Sequence, residues 1–115
     1  MRRTILITPD GERHRLLVPE TEAERTLGAN GGIRRPYVGL LFNFDPPQIA
    51  TMTMEKTPMA LQIAFVSPYQ NVTYVVDARA RSGLYTSPRP ARWVIETFGA
   101  WHLLKVGDQV RFAIT

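Results

Sequence analysis

Arginine and aromatic side chains are the groups in this sequence whose types and spacing best suit binding chemistry. Twelve arginines stand against two lysines, and several alternate with tyrosine or tryptophan in stretches rich in glycine and proline. A guanidinium binds carboxylate or phosphate as a planar fork, while aromatic rings pack at interfaces or stack on bases. We therefore predict that the following residues bind a partner: Arg34, Arg35, Tyr37, Arg79, Arg81, Tyr85, Arg89, Arg92 and Trp93.

Three interpretations of this basic set remain open. A protein partner or larger assembly with an acidic surface is favoured, because the predicted residues include no lysine and are interleaved with apolar residues and proline. Nucleic acid is the second choice, since no motif of defined spacing for its recognition is present. An arginine excess can also follow from genome composition, which leaves an ordinary solvated basic surface as the third interpretation.

Residues that could perform catalysis or hold a metal are sparse. The chain has no cysteine, and its two histidines, His14 and His102, are too few and too far apart in sequence for a transition-metal site. The remaining candidates border turns, where serine and aspartate commonly cap their own backbone: Ser67, Ser82, Ser87, Asp45, Asp77 and Asp108. We predict no catalytic residue, no metal and no cofactor, and an enzyme is the less favoured class.

Length and composition indicate a small globular protein. The 115 residues suffice for one domain, assigned to 1–115, and 44% of them are hydrophobic. The net charge of +4 is not gathered in a long block of one sign. The apolar run 5–7 is too short for a signal peptide, and no run approaches a membrane span. We expect a soluble, cytoplasmic protein, or a virion component if a phage encodes it.

The hydrophobic pattern predicts mostly strands. Runs 4–8 and 13–18 flank a Pro-Asp-Gly turn and form a hairpin, and a capping-box pattern at Thr21 and Glu24 starts a helix over 21–28. Further strands are predicted over 39–44, ending at Asp45-Pro46-Pro47, and over 49–54, 61–66, 72–76, 93–96 and 110–114, with a helical turn over 98–104.

These elements together predict an α+β fold, mostly antiparallel β, built as a small barrel- or sandwich-like sheet with one or two short helices. Its core is predicted to contain the following residues: Phe42, Phe44, Leu61, Ile63, Phe65, Val75, Phe112 and Ile114.

Five short motifs, in order and with matching intervals, resemble one family, the domain-of-unknown-function family numbered 192. They are Thr-Glu-Ala-Glu-Arg at 21–25, Gly-Leu-Leu-Phe-Asn-Phe at 39–44, the apolar frame of 54–65, Pro-Ala-Arg-Trp-Val-Ile-Glu at 90–96, and Gly-Asp-Gln-Val at 107–110. The resemblance implies a small β-rich fold with short helices.

The polar positions of the family's central motif are replaced in this chain. Its lysine, asparagine and aspartate fall on Glu55, Lys56 and Gln62, while the apolar positions agree. Because apolar agreement reports packing and polar agreement reports chemistry, we expect the fold to transfer and any family activity not to. The three replaced positions are expected to behave as exposed ones.

The favoured function is therefore a non-catalytic interaction or structural module that docks on an acidic partner through its arginine- and aromatic-rich loops. Since phages also encode relatives of the family, one specific version is a decoration or cement protein of a virion. The alternative is a small-ligand-binding or hydrolytic protein of unknown substrate, which a closed pocket lined by Glu55, Gln62 or Asp77 would favour. A nucleic-acid-binding protein is the second alternative.

Overall fold

The computed structural model describes residues 1–114, and these form strands, one short α-helix and one 3₁₀ turn. The strands are β1 (Arg2–Ile7), β2 (Arg13–Val18), β3 (Gly39–Gln48), β4 (Thr51–Thr53), β5 (Leu61–Val66), β6 (Val72–Ala78), β7 (Leu84–Thr86), β8 (Ala91–Phe98) and β9 (Arg111–Ile114). The helix α1 spans Glu22–Leu27, and the 3₁₀ turn spans Gly99–Trp101. The prediction of a mostly-β protein with short helices is confirmed.

Seven strands form one sheet in the order β6-β5-β8-β3-β2-β1-β9. All neighbours are antiparallel except β2 and β3, which pair in parallel. The predicted barrel is wrong, because β6 and β9 remain the two edges of an open sheet. The segment before β9 nevertheless reaches the start of β6, where the amide of Val72 donates to the Asp108 carbonyl at 2.9 Å.

Each face of this sheet is covered by its own hydrophobic cluster. On one face Phe42, Ile63 and Phe65 pack with residues of the small β4–β7 sheet. On the other face Leu6, Ala64 and Val110 belong to a second cluster, which joins strands from both halves of the sheet. The sheet must curve for residues of β1 and β5 to share this cluster. Strand β5, between β6 and β8, is buried at all six positions, which explains why its sequence is apolar apart from Gln62.

Strand β3 is longer than the sequence predicts. Its pairing with β8 runs from Gly39 to Asn43, is interrupted, and resumes where Gln48 lies opposite Ala91. The two prolines therefore fall in a bulge, where no ladder hydrogen bond is required of them. The prolines correctly indicated where the regular pairing of β3 with β8 stops, but the chain remains extended beyond them.

Two short elements differ from the sequence prediction. The run predicted over 49–54 forms only the short strand β4. Its partner β7 was not predicted, because a strand of three residues, with Tyr85 alone facing inward, shows little periodicity in its sequence. The helical turn predicted over 98–104 is confined to the 3₁₀ turn. No helix in the described part of the chain is long and apolar enough to cross a membrane.

Helix α1 begins and ends where its sequence signals predict. Thr21 is the N-cap and forms the complete capping box with Glu24, and Gly28 follows the last turn with a positive φ of 48°. The N-terminal amine of Met1 lies 3.3 Å from the Glu24 carboxylate, and this ion pair links the helix to the residue before β1. Since the helix buries none of its residues completely, these end contacts do much to fix its position.

Four of the eight predicted core residues are buried, Phe42 at 4% exposure and Phe65, Leu61 and Ile63 at 0%. Phe44, Val75 and Phe112 are half-buried and pack against the clusters, while the Ile114 side chain lies outside the described residues.

Replacing Phe65 with alanine is expected to lower the free energy of unfolding by about 3–5 kcal/mol, because the cavity adds to the lost transfer energy. Tyr69, which is 81% exposed in the β5–β6 turn, provides the matched aromatic control. Tyr69→Ala is expected to change stability by less than about 0.5 kcal/mol. Urea unfolding of both variants checks this, and a small effect at Phe65 would contradict the assigned core.

Candidate functional site

Glu96 is held in the middle of the sheet by an unusually close contact between two strands. It lies on β8, which is flanked by β3 and β5, and Leu40 is its partner on β3. Beside this pair is Gly39, where an added Cβ would overlap the main-chain carbonyl oxygen of Glu96. A glycine is therefore required at the start of β3 for the two strands to approach, and the approach fixes the position of the Glu96 backbone.

The Glu96 side chain is a buried acid without a partner. It is 4% exposed, and its carboxyl group makes no hydrogen bond or ion pair with any described residue. Burial raises the pKa of the carboxyl group from 4.5 to about 7, since the charged form loses its hydration and gains nothing in exchange. Glu96 can therefore hold or release a proton near neutral pH.

A cavity of about 120 Å³ adjoins this side chain. Its floor comes from the sheet, through Glu96 and Phe42, and its walls come from α1, the turn after it, β4 and the loop that follows β4. At about 30 Å³ per molecule, the volume corresponds to about four waters. We call this space the Glu96 cavity. It is large enough for a small polar molecule and too small for a polymer.

Several polar groups besides Glu96 line the cavity. The Thr57 hydroxyl donates to the Asn30 side-chain oxygen at 2.8 Å, which fixes that oxygen as the acceptor and leaves the amide nitrogen of Asn30 as a donor. Arg25 also lines the cavity, and its guanidinium lies over the rings of Phe42 and Phe44 at 5.8 and 5.0 Å. The cavity thus offers a proton-exchanging acid, an amide and a guanidinium.

The predicted arginine and aromatic residues are distributed over separate parts of the surface. Arg34, Arg35 and Tyr37 lie in the loop before β3, and Arg35 and Tyr37 form one wall of a groove whose other wall contains Phe98 and Trp101. Arg34 and Arg35 are exposed and Tyr37 is half-buried. Here arginine and aromatic residues do come together on an accessible surface.

The second group lies in the β6–β7 connection. Arg79 and Arg81 are exposed, whereas Tyr85 is half-buried on β7 and packs against the core cluster of that face. The amide of Arg81 donates to the Thr57 carbonyl at 3.1 Å, so this connection is tied to the loop beside the Glu96 cavity.

The third group lies at the start of β8, at the opposite end of the β3–β8 pair from the groove. Arg89 is exposed, but Arg92 is engaged within the chain. Its guanidinium donates to the Asn43 side chain at 3.3 Å and lies 4.7 Å from the Trp93 ring. Trp93 in turn packs on Phe112, with 5.3 Å between ring centres. The side chains of Arg92 and Trp93 are therefore explained by contacts within the fold, without a partner.

The replaced motif positions Glu55, Lys56 and Gln62, and also Asp77, lie in different surroundings. Glu55 and Lys56 are exposed in the turn after β4, and Asp77 faces His102 at 3.5 Å on the surface. Gln62 differs from the expectation of an exposed position, because it is 2% exposed. Its amide nitrogen donates to the Leu104 carbonyl at 2.8 Å, and its oxygen accepts from the Leu104 amide at 2.9 Å. Gln62 therefore clamps the chain after the 3₁₀ turn onto β5.

Glu96 was not among the predicted functional residues, although it closes the motif Pro-Ala-Arg-Trp-Val-Ile-Glu. A charged residue at the end of a strand that is otherwise apolar was the available signal. What the sequence could not provide was the packing on both faces that buries this residue. In the described part of the chain, no three His, Asp or Glu side chains are grouped to hold a metal ion.

Comparisons with known proteins agree with the motif resemblance. The sequence profile of DUF192, described as "Uncharacterized ACR", matches residues 5–112. A protein of unknown function from Novosphingobium aromaticivorans has a similar structure, with a TM-score of 0.74 and 25% identity over 95% of this chain and 83% of the other. A candidate transcription regulator from Sinorhizobium meliloti also has a TM-score of 0.74, with 24% identity over 96% of this chain and 92% of the other. No curated protein matches this chain.

The contact between Gly39 and β8 predicts that Gly39→Ala is strongly destabilising. The added methyl group would meet main-chain atoms that cannot rotate away, so we expect a loss of more than about 2 kcal/mol. Gly31→Ala is the matched control, since a Cβ there would make ordinary contact with Leu27 at 3.6 Å. Thermal or urea unfolding of the two variants measures the difference, and equal stabilities would contradict the close approach.

The raised pKa of Glu96 predicts that stability falls as pH rises from about 4.5 to above 7. The folded chain keeps the Glu96 proton over this window while the unfolded chain has lost it, so deprotonation favours unfolding. The rise from 4.5 to about 7 corresponds to about 3 kcal/mol. Urea unfolding across the window should show this decline in the wild-type protein and not in Glu96→Gln.

Two other acids do not interfere with this measurement. Asp10 accepts a hydrogen bond from Thr8, and Glu24 accepts from the backbone amides of Glu20 and Thr21, so the pKa of each is lowered and its effect on stability is lost as the pH falls, opposite in direction to that of Glu96. Exposed Glu22, when changed to Gln, should keep the wild-type pH profile. If the stability of the wild type and of Glu96→Gln changed with pH in the same way, the pKa of Glu96 would not be raised, and the prediction would be contradicted.

Proposed function

We propose that this chain, which belongs to the uncharacterised family DUF192, binds a small polar molecule in the Glu96 cavity. The observation that carries the proposal is the buried Glu96 carboxyl group, which faces the cavity without a partner of its own. A fold retains such a group at a cost in stability, and perturbed acids in cavities are typical of functional sites. A ligand that pairs with the carboxyl group would remove this cost.

The lining groups define the chemistry that the ligand needs. A hydroxyl or amine can donate to the ionised Glu96, and a carbonyl can accept from its protonated form. The Asn30 amide nitrogen provides a second donor close to the Thr57 hydroxyl. We therefore expect a neutral or cationic molecule with a donor group, of about the size of four waters.

Binding is favoured over catalysis for this cavity. General acid–base chemistry usually pairs an acid with a second titrating group or an activated nucleophile within hydrogen-bond reach. Among the described residues that line the cavity, Glu96 is the group that titrates near neutral pH, and the Thr57 hydroxyl is engaged with Asn30. These features favour a small-ligand-binding protein over a hydrolytic one, at a cavity other than one lined by Glu55, Gln62 or Asp77.

Ligand titrations followed by NMR test the proposal. We expect at least one of glycerol, ethanolamine or acetamide, at millimolar concentration, to shift the backbone amide signals of Asn30, Phe42 and Glu96. Glu96→Gln should weaken that binding by about tenfold or more, because a charge-assisted hydrogen bond is lost. The control Glu55→Gln changes an exposed acid outside the cavity and should bind like the wild type.

The dependence of affinity on pH provides a second check on the same site. A donor ligand such as ethanolamine should bind more tightly above pH 7, where Glu96 is ionised, and binding should lower the pKa of Glu96. If none of the three probes shifts the cavity signals at either side of this pH, or if Glu96→Gln binds as the wild type does, the cavity is not a binding site for this class of molecule.

A further inference from the structure

A groove at the opposite end of the β3–β8 pair from Arg92 is a second surface with binding chemistry. One wall is the 33–38 loop and the other runs from Phe98 to Trp101, and together they enclose about 660 Å³. We call it the Trp101 groove. It is separate from the Glu96 cavity, which is lined by α1, the turn after it and the β4 region.

The Trp101 groove exposes aromatic surface that the fold does not use. Trp101 is 53% exposed, and its ring packs edge-to-face with that of Phe98, with 5.2 Å between centres. Tyr37 on the facing wall is half-buried. The fold rigidly positions these rings, since Gly99 donates to the Ala60 carbonyl at 3.1 Å and Gln62 clamps Leu104 just beyond the turn. A rigid, partly exposed tryptophan is typical of an interface anchor.

The 33–38 wall of the groove carries basic residues, of which Arg35 lines the groove itself. Arg34 and Arg35 are exposed on the 33–38 loop, and exposed Arg15 lies next to it, because its carbonyl accepts from the Val38 amide at 2.9 Å. None of these three arginines is in an ion pair with another described residue. Their charges are therefore available to a partner, and a guanidinium binds carboxylates in a bidentate manner.

We propose that the Trp101 groove binds an acidic peptide segment of another protein, with an aromatic or aliphatic side chain seated between Tyr37 and Trp101. The apolar lining accepts that side chain, and Arg35 in the groove, with Arg34 and Arg15 beside it, pairs with carboxylates of the peptide. A peptide is favoured over nucleic acid because a concave apolar groove has a place for such an anchor, whereas the arginines do not form a long track for phosphates.

The test uses a fluorescein-labelled peptide of alternating aspartate and glutamate with one central phenylalanine, and measures fluorescence anisotropy with the full chain. We expect saturable binding that Trp101→Ala weakens by about tenfold or more, as truncation of an interface anchor does. The double change Arg34→Glu and Arg35→Glu should abolish binding. Replacing the peptide's phenylalanine with serine should weaken it to a similar degree as Trp101→Ala.

A control variant with the same change in net charge distinguishes binding at the groove from general electrostatic attraction between the peptide and the protein. Arg3 and Arg111 are exposed on β1 and β9, and changing both to glutamate should leave peptide affinity within about threefold of the wild type. Equal losses in the two double variants would overturn the proposal, because they would show that net charge alone attracts the peptide.

Two further outcomes would assign the binding elsewhere. If Arg79→Glu with Arg81→Glu abolished binding while the change at Arg34 and Arg35 did not, the β6–β7 connection would be the docking surface. If mixed-sequence single-stranded RNA bound more tightly than the peptide, with an affinity falling steeply with salt, the groove would be a nucleic-acid site. Either result would overturn the peptide proposal while leaving the Glu96 cavity untouched.

Discussion

The close pairing of β3 with β8 is the contact on which the rest of this structure depends. Gly39 gives the room for it, because any larger residue would overlap the Glu96 carbonyl. Strand β8 is then flanked on its other side by the fully buried β5, so the buried stretches 39–42 of β3, 94–97 of β8 and 61–66 of β5 form the centre of the sheet. The hydrophobic clusters on both faces are built on this centre, and so is the position of Glu96.

Glu96 shows how an acid can remain buried in such a centre. Its side chain faces the same side as Phe42 and Val94, which are covered by α1, the turn after it and the β4–β7 sheet. These covering elements are short and leave a cavity instead of packing tightly on the sheet. The carboxyl group is removed from bulk water but not enclosed by apolar atoms alone. Burial without compensation raises its pKa, and the same lack of compensation leaves the group available to a ligand.

The Trp101 groove depends on the same scaffold through different residues. Strand β8 ends at Phe98, and the chain turns at once through the 3₁₀ turn, so Trp101 is displayed beside the strand end. The loop before β3 faces it because β3 and β8 are antiparallel neighbours, which brings the start of one next to the end of the other. Gln62 then fixes the chain beyond the turn on β5. The buried side-chain amide of Gln62, through its two hydrogen bonds with the main chain, therefore has a structural role in this groove.

Local sequence patterns determined much of the secondary structure and part of the proposed docking surface. The Pro-Asp-Gly turn, the capping box of Thr21 with Glu24, and the apolar run of β5 act over a few residues, so they indicate elements directly. The exposed arginines of the 33–38 loop were equally visible, because glycine and proline nearby predict a loop. Ordered motifs also indicated the family, whose profile spans most of the chain.

Tertiary structure decided the features that depend on strands far apart in sequence. Gln62 and Glu96 are both polar residues within strands, and nothing in their local sequence distinguishes a clamp from an unpartnered acid. Their difference arises because Gln62 meets the Leu104 backbone 42 residues away, whereas Glu96 faces a cavity lined by α1 and β4. The same holds for Arg92, which only the return of β3 beside β8 brings to Asn43. Burial and pairing are properties of the assembled sheet, and a local pattern does not contain them.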